Sequence, residues 1–98
     1  MRLSQEHVRA IARCTREAFG DKAVVRLFGS RIDDSKRGGD IDLHLEIPDL
    51  PDWYEAKSAF LYGLYREFGD RKIDIVIHRE GQPLLPIDRI ALKDGVVL

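Results

Sequence analysis

Eight consecutive residues, Asp40 to Ile47, alternate between polar and apolar without a break. Ile41, Leu43, Leu45 and Ile47 point one way; Asp40, Asp42, His44 and Glu46 point the other. Successive side chains leave a strand on opposite sides, so this pattern specifies a β-strand with one buried face. Such a face has to be covered, which calls for a sheet and a second layer packed on it. Lys72 to His78 repeats the pattern, with Ile73, Ile75 and Ile77 on one side and Asp74, Val76 and His78 on the other. Lys22 to Phe28, rich in Val, Leu and Phe, reads as a further strand.

Helices supply the cover. Ser4 is a good N-cap, and Leu3 before it is placed to staple onto Val8. Val8, Ile11, Ala12, Thr15, Ala18 and Phe19 recur at helical spacing, and Gly20 marks the stop. Asp52, followed three residues later by Glu55, predicts a capped second helix. Its apolar stripe is Trp53, Ala56, Phe60, Gly63, Leu64 and Phe68, and Gly69 ends it. Ile87 to Lys93 reads as a short last helix stopped by Gly95, with Val96 to Leu98 as a terminal edge strand. A length of 98 residues fits one domain, residues 1–98, with no internal repeat or linker. The expectation is an α/β (α+β) domain: a small mixed β-sheet with its helices packed on one face.

Charge and cysteine usage narrow the function. The formal net charge is -1, which gives no strongly basic face for direct nucleic-acid binding. No apolar run is long enough to span a membrane, and residues 1–10 lack the apolar core of a signal peptide. The single cysteine, Cys14, has no partner for an internal disulfide and reads as a packing residue. A cytoplasmic location is the expectation.

The chemistry concentrates in Leu27-Phe28-Gly29-Ser30-Arg31, a loop, and then Gly39-Asp40-Ile41-Asp42-Leu43. Asp40 and Asp42 fall on one face of the strand, roughly 6–7 Å apart by strand rise. Two carboxylates so placed repel each other unless a cation relieves them, and hard oxygen ligands suit Mg²⁺. Asp74 faces away from its flanking isoleucines. It joins the other two if its strand lies beside theirs, and three carboxylates then hold two Mg²⁺ ions about 4 Å apart. Gly29 lets a phosphate approach the backbone, and Ser30 is placed to open a helical turn whose free N–H groups favour an anion. Arg31, Lys36 and Arg37 lie in the same loop, where they can neutralise a triphosphate.

Together FGSR, GGDIDLHLEI and KIDIVI resemble the nucleotidyltransferase superfamily of DNA polymerase beta, and most closely its minimal nucleotidyltransferase branch. The likeness covers nearly the whole chain, including the closing Asp-Gly-Val-Val-Leu. It implies the polymerase beta-like fold, with Gly29, Ser30, Arg31 and Gly39 at the nucleotide. It further implies Asp40, Asp42 and Asp74 as catalytic residues and ligands of two Mg²⁺ ions, with ATP as substrate. Many relatives carry Ser where this chain has Gly39. Small members of this branch act as antitoxins that transfer AMP to a tyrosine of a HEPN-domain ribonuclease toxin. The resemblance therefore implies a protein acceptor and a hetero-oligomer with that toxin. The competing readings are an antitoxin that sequesters the toxin without catalysis, and a subunit acting on a small molecule such as an aminoglycoside. The absence of G-x-x-x-x-G-K-[ST] excludes a P-loop enzyme.

Other residues read more plainly. His44 is expected to be an exposed strand histidine, with substrate contact as the alternative. Glu46 is expected to be solvated. Arg26 either reaches the site or forms a surface ion pair. Trp53 and Phe60 read as core, while Tyr62 and Tyr65 offer a partner surface.

Overall fold

The computed structural model describes residues 3–29 and 41–98. The elements, in chain order, are α1 (Gln5–Phe19), β1 (Val24–Phe28), β2 (Ile41–Ile47), α2 (Trp53–Phe68), β3 (Ile73–Arg79), α3 (Pro86–Asp94) and β4 (Val96–Val97). The strand order across the sheet is β3-β2-β1-β4. β1 pairs antiparallel with β2 and with β4, while β2 and β3 run parallel, so the sheet is mixed. No helix among the described residues is long and apolar enough to cross a membrane.

The helix ends follow local chemistry, with one departure. Ser4 is extended (φ -68°, ψ 162°), and its Oγ accepts the His7 N–H at 3.1 Å, as an N-cap should. Gly20 and Gly69 close α1 and α2, each donating its N–H to a carbonyl of the last turn. The capping box expected at Asp52 and Glu55 does not form. Asp52 sits at φ -105°, ψ 29°, not in the extended conformation that aims a side-chain oxygen into the first turn, and it makes no side-chain cap bond. Backbone bonds start the helix instead, Trp53 N–H to Leu50 and Ala56 N–H to Asp52.

The core lies between the sheet and the two longer helices. Ile41, Leu43, Leu45 and Ile47 of β2 are buried together with Val25 and Leu27 of β1. Ile11, Cys14 and Phe19 of α1 and Phe60, Leu64 and Phe68 of α2 close over them. Leu3 and Val8 both join this cluster, as the staple predicted. Gly63 lets α2 come close to α1: a Cβ there would stand 3.1 Å from Cys14 Sγ. Cys14 is a buried packing residue, and burial pushes its thiol pKa up. Trp53 packs at the margin of the core, while Tyr62 and Tyr65 are 66% and 62% exposed.

α3 corrects the expectation that the helices pack on one face. Its Asp88 bonds His44, and Gly95 at its end lies against Arg26. Arg26 and His44 are cross-strand partners on the face opposite Leu43 and Leu45. α1 and α2 therefore cover one face and α3 stands on the other. A buried polar group needs partners, and Asp88 finds the Leu85 N–H within its own segment and His44 on the polar face of β2.

Candidate active site

The polar face of β2 is built by strand alternation and by its two neighbours. Across the parallel pairing, Asp42 stands in register with Asp74. Across the antiparallel pairing, Asp42 stands opposite Phe28. Ile41 and Leu43, both fully buried, lock β2 so that Asp42 has no route to the other face. Asp42 is half-buried and Asp74 exposed.

Gly29 follows Phe28 directly and adopts φ +77°, a left-handed backbone that favours glycine. A Cβ at this position would lie 2.6 Å from Asp42 Oδ2. Gly29 is thus required twice, for its backbone angle and for its approach to the carboxylate. A glycine, a half-buried carboxylate and an exposed carboxylate meet at one end of the sheet.

Of the residues expected in the site, Gly29, Asp42 and Asp74 are brought together. Ser30, Arg31, Lys36, Arg37, Gly39 and Asp40 lie outside the described residues. Among the described residues, no group of three His, Cys, Asp or Glu side chains forms a metal cage. The donors that are present nevertheless suit a hard cation: carboxylate oxygens on adjacent strands, with no thiolate or imidazole between them. A depression of about 310 Å³ lies at the other end of β3, against Trp53, His78, Arg79 and Leu85, and neither carboxylate lines it.

Three expectations for neighbouring residues resolve. His44 is not exposed: it has no solvent-accessible surface. Its Nε2 donates to Asp88 Oδ1 at 2.8 Å, and its ring meets the Phe28 ring edge-on with centroids 6.4 Å apart. α3 is what covers it. Glu46 is not simply solvated, because Arg26 Nη1 donates to its Oε1 at 2.9 Å in a half-buried pair. That pair also answers for Arg26, whose guanidinium is engaged by Glu46.

Asp88 is the residue the sequence did not disclose. Its Oδ2 accepts the Leu85 N–H at 2.8 Å while Oδ1 accepts from His44. Burial opposes its ionisation, but the Leu85 N–H and then the His44 ring outweigh burial and hold the carboxyl below its ordinary value. Pro86 two residues earlier marks a helix start, which makes an acid in the first turn readable as a helix-end residue. Nothing in the sequence pairs it with His44.

No protein-family model matches the chain, and no curated protein matches it.

Proposed function

We propose that the chain is a Mg²⁺-dependent nucleotidyltransferase with the polymerase beta-like fold. It moves AMP from ATP to a hydroxyl of a partner protein, in the cytoplasm, as the antitoxin of a HEPN ribonuclease toxin. The observation that carries this reading is the in-register pair Asp42 and Asp74, with the Gly29 backbone against the Asp42 carboxylate. Asp40, Ser30, Arg31 and Gly39 enter it from the sequence alone.

In this reading Asp42 and Asp74, with Asp40, would hold Mg²⁺, which when bound would supply positive charge to offset that of a triphosphate. Gly29 presents bare backbone, so the phosphates approach where any side chain would intrude. The acceptor oxygen bonds to the α-phosphorus, the bond from that phosphorus to its bridging oxygen breaks, and pyrophosphate departs. Asp74, the exposed carboxylate of the pair, takes the hydroxyl proton and returns it to solvent. The exposed tyrosines of α2 offer a surface for the partner.

The test is transfer from α-labelled ATP to co-purifying proteins with Mg²⁺, comparing wild type with Asp42→Ala. Label on a partner protein with the wild type alone supports the reading. A tight partner complex without label in either case overturns it in favour of sequestration. Label on an aminoglycoside without any partner moves it to small-molecule transfer.

A further inference from the structure

The His44–Asp88 pair is more polar than its position requires. It is buried beneath α3, where apolar side chains would serve packing as well. A buried imidazole and carboxylate lose hydration that an apolar pair never had, so the pair is weak as a stabilising device.

The contacts of the pair lead toward the site. Asp88 is held at both oxygens, one by the Leu85 backbone and one by His44. The His44 ring, bonded to Asp88, meets the Phe28 ring edge-on with centroids 6.4 Å apart. Phe28 is the cross-strand partner of Asp42 and is bonded to Gly29, whose backbone abuts Asp42 Oδ2. A continuous chain of contacts therefore runs from α3 to the carboxylate.

We propose that His44 and Asp88 are positioning residues of this site: they fix Phe28, and through it the Gly29 backbone, against the Asp42 carboxylate. Neither touches substrate; Asp88 acts through His44, and His44 through Phe28. The inference rests on the proposed function for what the site does, and on the contacts alone for the coupling.

The experiment compares wild type, Asp88→Asn and the double variant His44→Leu/Asp88→Asn. The double variant removes the pair without leaving an unpaired charge buried, and the asparagine side chain keeps an acceptor for the Leu85 N–H. Four quantities are read: the unfolding midpoint, the amide resonances of Gly29 and Asp42, Mn²⁺ affinity by electron paramagnetic resonance, and kcat and KM for ATP. The expected result is a folded double variant with displaced or broadened Gly29 and Asp42 resonances. Its Mn²⁺ affinity and kcat fall about tenfold or more, while KM for ATP moves far less. Asp88→Asn falls between. Wild-type resonances and Mn²⁺ affinity in a folded variant overturn the proposal, whatever the activity does. If the double variant does not fold, Asp88→Asn decides by the same readings. If the wild type transfers no nucleotide yet the resonances move, the functional reading fails and the coupling stands.

Discussion

Leu43 and His44 are neighbours on β2, and neither is exposed to solvent, yet they are buried for different reasons. Leu43 goes inward because the alternation of β2 sends it there, and two helices close over it with matching apolar stripes. Its burial is a property of the segment. His44 leaves the strand on the opposite side, with Asp42 and Glu46, where alternation alone predicts solvent. It is buried because α3, more than forty residues later in the chain, arrives with an acid to receive it. The apolar face follows from local pattern; the polar face follows from tertiary pairing. Proteins place chemistry on the second kind of surface, since polar groups held by specific partners keep a fixed orientation.

The sharpest test sets the two faces against each other within β2. Leu45→Ala removes a fully buried side chain and is expected to lower stability by about 2–5 kcal/mol in urea unfolding. A domain of this kind has only about 5–15 kcal/mol to lose. Asp42→Asn, three residues earlier on the polar face, is expected to change stability far less while removing the nucleotidyl transfer proposed above. Equal destabilisation by the two would break the division between the faces.

The same division explains what was readable beforehand. β2 and β3 carry their alternation openly, so their existence and faces were legible, as were α1 and α2 from their stripes. The expectation that Asp74 joins Asp42 needed β3 beside β2, and the parallel register Asp42–Asp74 meets that condition. α3 was legible as a helix but not by its face. Leu85, Ile87 and Ile90 are apolar yet exposed, and the only helix residues it buries are Asp88 and Ala91. A nine-residue helix whose buried side chains are an acid and a methyl group does not announce what it covers. The burial of His44 was hidden for that reason, and so was the role of Asp88. Asp52 failed as a side-chain cap because its backbone turns before the helix begins.

Gly29 should be the next most sensitive position. Alanine there meets a left-handed backbone, costing about 1–2 kcal/mol, and its methyl must displace Asp42. The proposed transfer is expected to fall about a hundredfold, since a displacement near 1 Å has that effect on a positioned group. Stability and transfer measured on the same preparation check this. Loss of stability with full activity per folded molecule would detach Gly29 from the site.

Acid should act on one face and spare the other. The Asp88 carboxyl titrates below its ordinary value, so folding favours its ionised form. Its contribution is therefore complete above the unfolded carboxyl pKa of about 3.9 and is lost as the pH falls through the lower folded value. The stability difference between wild type and Asp88→Asn is expected to shrink in that acid window. The difference between wild type and Leu45→Ala should stay level there. Urea titrations at several pH values read both, and a parallel acid loss in the Leu45 comparison would count against the distinction.

The smallest effect belongs to the glycine on the apolar side. Gly63 lies inside α2, where alanine is favoured by about 1 kcal/mol on helix propensity alone. Against that gain stands a Cβ 3.1 Å from Cys14 Sγ, tight enough that the sulfur must give way. Overpacking of a core typically costs about 1–3 kcal/mol, and a single methyl against one movable sulfur belongs at the low end. The two effects nearly cancel, so Gly63→Ala should leave stability close to wild type. Cys14→Ala separates them by removing the sulfur. In that background Gly63→Ala should stabilise by about 1 kcal/mol, a coupling readable from a double-mutant cycle in urea. The same substitution that displaces a carboxylate from a left-handed glycine at Gly29 would then be harmless or useful at Gly63, where the backbone is helical and the neighbour is one movable sulfur.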